Sequence, residues 1–116
     1  SGKILAGVSA GAICWFNQGV TDSWAHGLRV IDCMDVLDGC CCPHYDGEKN
    51  RRPSVMKFIE QNTISSCLAI EDGAAVHYKD NKLHTAISFY EDKNAYHVSK
   101  KDGQIIEDKI KRIEIY

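Results

Sequence analysis

The stretch Gly7-Val8-Ser9-Ala10-Gly11 decides how the rest of the chain is interpreted. It has the G-x-S-x-G form of a nucleophile elbow, a sharp turn between a strand and a helix that exposes a serine hydroxyl. The apolar residues 4–6 before it predict a buried strand, and residues 12–16 after it predict a helix packed on a sheet. The two glycines would leave room where strand and helix nearly touch. Ser9 is therefore the candidate nucleophile.

The same turn offers a place for negative charge. The N–H of Ala10 lies at the start of the predicted helix, where free N–H groups and the helix dipole favour an anion. We therefore expect this N–H to bind an oxyanion. A Gly-Ser turn before an ordinary helix would have the same local pattern, so the motif needs its structural context.

The composition is that of an ordinary soluble globular domain. The 116 residues are 44% hydrophobic and 26% charged, with a net charge of -2, which suits one domain, residues 1–116, with a modest core. This charge gives no reason to expect nucleic acid or an acidic membrane as a partner, and no apolar run reaches the roughly 20 residues of a membrane helix. Cysteines at three consecutive positions, 40–42, suit no usual disulfide framework and favour reduced thiols in the cytoplasm.

Local patterns predict the remaining elements. The helix after the elbow should fray near residues 17–19, and residues 20–23 should form a loop. Strands are predicted at 28–31, 40–42 and 66–70, and a helix at 53–60 begins with proline and has one apolar face. After Gly73 come short β-like stretches at 74–78, 82–90, 95–100 and 109–116, with hairpin-type turns at 79–81 and 101–103. We predict an α/β domain with a parallel sheet and a C-terminal antiparallel β meander.

Polar side chains follow three of the predicted strands. Ser9, His44 and the pair Glu71-Asp72 each come just after a short apolar run. The carboxyl ends of parallel strands meet at one edge of an α/β sheet, so these groups should converge. A histidine can take the serine proton near neutral pH, and a carboxylate can fix the histidine tautomer. The pattern predicts a serine hydrolase with Ser9 as nucleophile, His44 as base and Glu71 or Asp72 as acid, with Asp22 as a further candidate for the acid.

Two other interpretations of these residues compete with the hydrolase: a metal site and a protein without catalytic activity. Cys40, Cys42 and His44 lack the fourth ligand that a structural zinc site needs, so we expect no metal and no cofactor. The rival to an enzyme is a non-catalytic α/β binding or assembly module that keeps the elbow as a structural turn.

Taken together, the motifs resemble the peptidase E and cyanophycinase family of serine peptidases. The resemblance rests on the elbow with the following Cys14-Trp15 and on three further stretches: residues 42–46, 51–53 and 69–75. It implies a flavodoxin-like, class I glutamine-amidotransferase-like parallel sheet with helices on both faces. It also implies a serine peptidase acting on small peptides, in some members a dipeptidase for substrates that begin with aspartate.

The resemblance also implies roles for individual residues. Ser9 and His44 match the family's nucleophile and histidine. Glu71 matches the glutamate of some members, and Asp22 falls near an aspartate implicated in others. Of the three candidate acids, we expect Glu71 rather than Asp72 or Asp22 to approach the far side of the His44 imidazole.

The resemblance further implies a substrate-binding arginine and a longer protein. Arg51 or Arg52 falls near the arginine that recognises the aspartyl side chain, so we expect a positive lip on the site. The family is longer than this chain, and an elbow strand normally has partners on both sides in a parallel sheet. We therefore expect residues 1–116 to be the C-terminal half of a larger domain, in which the missing half or self-association covers the open side of the sheet. We also expect the 116 residues alone to be inactive.

Overall fold

The computed structural model describes residues 4–21, 27–47 and 49–115. These residues form an α/β fold with two short helices and nine strands. The elements are α1 (Ala10–Ile13), β1 (Phe16–Thr21), β2 (Arg29–Asp32), β3 (Leu37–Cys42), α2 (Arg51–Glu60), β4 (Ser66–Ile70), β5 (Ala74–Lys79), β6 (Lys82–Ser88), β7 (Ala95–Lys101), β8 (Gln104–Lys109) and β9 (Arg112–Glu114). Neither helix of the described ranges has the length and apolar character of a membrane span.

The larger sheet has six strands in the order β2-β1-β3-β4-β7-β8. Its centre is parallel, because β3 pairs in parallel with β1 and with β4. The outer strands β2, β7 and β8 pair antiparallel with their neighbours. The sheet is therefore mixed rather than all parallel.

The sheet is buried on both faces, which explains the apolar character of β3 and β4. Cys40 and Cys42 belong to one buried cluster together with Val55 and Ile59 of α2. Cys41, whose side chain points the other way, belongs to a second cluster with Ile13 of α1 and residues of the small sheet. Helix α2 thus covers one face, and α1 with the small sheet covers the other. The helix predicted at 53–60 is confirmed and begins two residues earlier, with Pro53 in its first turn.

The second sheet has three strands in the order β5-β6-β9. Strands β5 and β6 form the predicted hairpin, in which Asp80 and Asn81 have φ values of 53° and 63°. The second predicted hairpin joins β7 to β8, and Asp102 and Gly103 have φ values of 54° and 80° at its turn.

The prediction of a single antiparallel meander is wrong, because the two hairpins belong to different sheets. Strand β7 pairs with β4 and extends the larger sheet, whereas β9 pairs in parallel with β6. The turn composition determines each hairpin locally, but burial determines where the hairpin goes. Ala86 of β6 is 1% exposed and contributes to the cluster on one face of the larger sheet, and Val98 of β7 is buried in the cluster on the other.

The elements flanking the elbow differ from their predictions. Residues 4–7 are not a strand, and Ile4 and Val8 are 93% and 85% exposed. No strand in the described part of the chain pairs with them, and extended backbone needs a partner's hydrogen bonds to become a strand.

The helix after the elbow is also shorter than predicted. It ends at Ile13, and β1 begins at Phe16, so residues 17–19 are not a frayed helix end and Val20 and Thr21 are not a loop. A short apolar run fits either structure. Burial of Phe16 and Val20 at 4% and 0% exposure favours the strand.

Candidate active site

Ser9 has the strained backbone of an elbow and directly precedes α1, although no strand leads into it in the described residues. Its φ and ψ are 55° and -120°, a backbone conformation that costs a non-glycine residue about 1–3 kcal/mol and recurs at functional sites. A Cβ atom on Gly7 would lie 2.0 Å from the carbonyl oxygen of Gly11, so position 7 requires glycine. A Cβ atom on Gly11 would meet nothing within 4 Å in the described structure, so the steric expectation is correct for Gly7 and wrong for Gly11.

Ser9 lies within hydrogen-bond distance of His44, as expected. The distance from Ser9 Oγ to His44 Nε2 is 2.8 Å, although 35 residues separate them in the sequence. His44 comes two residues after the end of β3 and has a left-handed φ of 56°. The parallel pairing of β3 with β4 brings the residues after these two strands to one edge of the sheet. The elbow reaches this edge because Ile13 of α1 packs in the same cluster as Cys41 of β3.

Asp72 lies on the other side of the same imidazole. Its Oδ1 atom is 2.6 Å from His44 Nδ1, and the side chains of His44 and Asp72 are 39% and 53% exposed. If Nδ1–H donates to this carboxylate, Nε2 carries a lone pair towards the Ser9 hydroxyl. The three side chains thus have the geometry in which a histidine removes a proton from serine.

Glu71 does not face the imidazole, so the preference for Glu71 over Asp72 is wrong. Glu71 is 8% exposed, and its Oε1 atom accepts a hydrogen bond of 2.8 Å from the N–H of Asn94. Its own N–H donates to the carbonyl of Asn94, so this residue continues the pairing of β4 with β7. Successive side chains of an extended chain point to opposite sides, and it is therefore the next residue, Asp72, that reaches His44. Burial raises the pKa of Glu71, partly offset by the hydrogen bond from Asn94.

Two further predicted residues have different outcomes. Asp22 lies outside the described residues. The N–H of Ala10 donates to no acceptor in the described structure, whereas those of Gly11, Ala12 and Ile13 donate to the carbonyls of Val8 and Ser9. Ala10 thus keeps a free donor next to the serine, but α1 has only four residues, so the expected dipole contribution is small.

Arg51 and Arg52 do not form the expected positive lip. Arg51 is 2% exposed, and its Nη1 atom donates to the carbonyl of Pro43 at 3.3 Å. The guanidinium of Arg52 binds both carboxylate oxygens of Glu107 at 3.0 and 3.1 Å and stacks over Tyr45. Both arginines belong to α2, which packs on the sheet face opposite α1. Packing of the helix therefore directs them away from the elbow.

A large open cleft leads to Ser9. Its volume is about 870 Å³, and its walls include residues 4–9 and strand β5. Apolar surface comes from Trp15, Phe16, Val76 and Tyr78. Among the described lining residues, Lys79 is the one lysine, and there is no arginine. Such a cleft suits an extended, largely apolar ligand.

The described residues contain no group of three or more His, Cys, Asp or Glu side chains arranged to hold a metal ion. Cys40 and Cys42, which were weighed as zinc ligands with His44, lie in the core at 3% and 0% exposure.

Comparisons with known proteins agree on a peptidase relationship. The family model of peptidase family S51 matches residues 1–86, a range that includes Ser9, His44 and Asp72. The chain is also similar to the uncharacterized peptidase YgaJ of Bacillus subtilis (strain 168). The two sequences are 43% identical over 107 residues, which make up 92% of this chain and 46% of the Bacillus protein. The chain thus spans less than half the length of this curated relative.

Proposed function

Because the chain belongs to peptidase family S51, the family of peptidase E that its motifs resemble, we propose that it is a serine peptidase acting on small peptides. The observation that carries the proposal is the hydrogen-bonded series from Ser9 Oγ through His44 to Asp72 Oδ1, with distances of 2.8 and 2.6 Å. Ser9 is the nucleophile, His44 the general base and Asp72 the orienting acid.

The reaction follows from the positions of these groups. The Ser9 oxygen attacks the carbonyl carbon of the scissile bond while its proton passes to His44 Nε2. Asp72 stabilises the resulting imidazolium, and the N–H of Ala10 donates to the developing oxyanion. His44 then gives the proton to the leaving amine as the C–N bond breaks, leaving an acyl ester on Ser9. Water, deprotonated by the same imidazole, hydrolyses the ester and regenerates the serine.

The cleft favours peptides with apolar side chains near the scissile bond. Its walls carry Trp15, Val76 and Tyr78, and the two arginines considered for acidic substrates are engaged by Pro43 and Glu107 on the other face of the sheet. These two arginines therefore give no support to the aspartyl preference of some family members. We propose small, apolar peptides as the substrate class.

Labelling of the full-length protein with a fluorophosphonate tests the proposal against the non-catalytic module. An activated serine reacts irreversibly with this reagent, so we expect modification at Ser9, and the Ser9→Ala and His44→Ala variants should not react. Peptide hydrolysis by Ser9→Ala should fall by several orders of magnitude, because members of such a triad act as a unit. A folded protein with neither labelling nor hydrolysis would favour the binding or assembly module.

A further inference from the structure

The loop that carries His44 contacts Asp72 at a second point. One carboxylate oxygen of Asp46, Oδ1, accepts a hydrogen bond of 2.8 Å from the backbone N–H of Asp72. The N–H of Tyr45 donates to the carbonyl of Ile70 at 2.9 Å, which fixes the same loop to the end of β4. Two further hydrogen bonds thus connect the segment that carries His44 to the segment that carries Asp72, in addition to the bond between their side chains.

The carboxylate of Asp46 is itself held. Its Oδ2 atom pairs with the Nζ atom of Lys93, and the Asp46 side chain is only 18% exposed. Burial raises the pKa of Asp46, but the hydrogen bonds from Lys93 and from the N–H of Asp72 outweigh it and leave the pKa below its usual value. Asp46 therefore stays ionised at neutral pH, and Lys93 offsets its repulsion with the nearby carboxylates.

Gly47 leaves the space that the Asp72 carboxylate occupies. A Cβ atom at position 47 would lie 2.2 Å from Asp72 Oδ2 and 3.2 Å from its Cγ atom. Any side chain at position 47 would push this carboxylate from its place. The consecutive residues Asp46 and Gly47 therefore constrain Asp72 twice, at its backbone and at its side chain.

We propose that Asp46, anchored by Lys93, is a positioning residue that binds the backbone N–H of Asp72 and holds the Asp72 carboxylate against the imidazole of His44. Its effect on turnover rests on the proposed peptidase function. Its effect on the His44–Asp72 hydrogen bond does not, because that bond can be observed without substrate.

The decisive comparison uses two double variants. Asp46→Asn with Lys93→Met removes the ion pair but keeps a side-chain oxygen that can accept from the Asp72 N–H. Asp46→Leu with Lys93→Met has the same net charge and nearly the same shape but no acceptor. The difference between them isolates the hydrogen bond to Asp72, once thermal unfolding has shown that both are folded.

Two measurements decide the outcome. The Nδ1 proton of His44, followed by proton NMR as a low-field resonance, should persist in the asparagine variant and be lost or shifted upfield in the leucine variant. The kcat of the leucine variant should be about 10–100-fold lower than that of the asparagine variant, with KM nearly unchanged, because a small displacement of the orienting group can cost about 10²-fold. Identical spectra and identical kcat values in the two variants would overturn the positioning role.

A further substitution tests the position of Asp72 if the leucine variant does not fold. Gly47→Ala crowds Asp72 from the side-chain direction and should weaken the same NMR signal while leaving Asp46 intact. An unchanged signal would show that Asp72 tolerates displacement, contrary to the proposal. If the full-length wild-type protein hydrolyses no peptide, the proposed function fails, but the NMR comparison still decides whether Asp46 positions Asp72.

Discussion

The Nδ1 atom of His44 lies 2.6 Å from the Oδ1 atom of Asp72, and both side chains keep part of their surface in water. The neighbouring carboxylate of Glu71 is buried and bound to the main chain of Asn94. Two adjacent carboxylates thus have different surroundings and, we propose, different roles.

Substitution of the two carboxylates should separate catalysis from structure. We expect Asp72→Asn to lower kcat by about 10²–10⁴-fold, because the amide no longer stabilises an imidazolium or fixes its tautomer. The matched change Glu71→Gln keeps an oxygen for the N–H of Asn94 and should leave kcat within a few-fold of wild type. Steady-state kinetics on one peptide checks both variants, and a larger loss in Glu71→Gln than in Asp72→Asn would reverse the assignment.

Glu71 should make stability depend on pH. Burial raises its pKa in the folded state, so between the unfolded value of about 4.3 and the raised value the folded protein binds more protons than the unfolded chain. The free energy of unfolding therefore falls as pH rises through this window, and the cost of the buried charge is complete above it. Glu71→Gln should be more stable than wild type at pH 7, and the difference should vanish as pH falls below about 4. Urea unfolding of both proteins at several pH values measures this difference in the free energy of unfolding. A difference that grows as pH falls would contradict the predicted direction of the pH dependence.

Arg52 should contribute to stability and not to substrate choice. Its guanidinium binds Glu107 and stacks over Tyr45, while the Arg52 side chain is 40% exposed. We expect Arg52→Met to lower the free energy of unfolding by about 1–2 kcal/mol. The ratio of kcat/KM for Asp-X and Ala-X dipeptides should stay unchanged in this variant and in Arg51→Met. A selective loss of Asp-X hydrolysis in either variant would show that the substituted arginine binds the substrate.

The exposed apolar stretch before the elbow should drive association of the 116-residue chain. Ile4 and Leu5 are 93% and 54% exposed beside the cleft, and contiguous apolar surface of this kind is usually covered in a native assembly. We expect sedimentation velocity to show concentration-dependent association, which Ile4→Ser with Leu5→Ser should reduce.

A matched control for this prediction is available elsewhere on the surface. Ile113→Ser with Ile115→Ser removes apolar residues of similar exposure, 55% and 56%, near the end of the chain. This pair should change association less than the pair before the elbow. A wild-type chain that stays monomeric over the whole concentration range would contradict the prediction that this apolar stretch drives association.

The candidate nucleophile and base could be predicted because their signals are local. Ser9 is part of a five-residue motif, and His44 follows a short apolar run that ends at a proline. The parallel pairing of β3 with β4 then brings the residues that follow these two strands together, whereas the apolar run before Ser9 forms no strand. The acid could not be chosen in this way. Which of two adjacent carboxylates faces the imidazole depends on the pairing of β4 with β7, a contact between Glu71 and Asn94 that no local pattern contains.

The same distinction between local and distant contacts applies to the fold. The turns at 79–81 and 101–103 were predicted from their residue types, and both hairpins form. Membership of the hairpins in two different sheets depends on which apolar face each covers. Similarly, the local pattern of residues 16–21 fits a helix end and a loop as well as the observed strand β1. Burial of Val20 in the core, which depends on distant residues, favours the strand.

The three buried cysteines of β3 alternate between the two faces of the sheet, so their reaction with a thiol reagent can report local unfolding of each face. Cys40, Cys41 and Cys42 are 3%, 0% and 0% exposed and lie in clusters on opposite sides of the sheet, whereas Cys14 and Cys33 are partly exposed. A thiol reagent should therefore modify the two outer cysteines at once and the strand cysteines only during transient unfolding. Peptide mapping over time would then give separate opening rates for the two faces of one strand, in the native sequence and without any introduced probe.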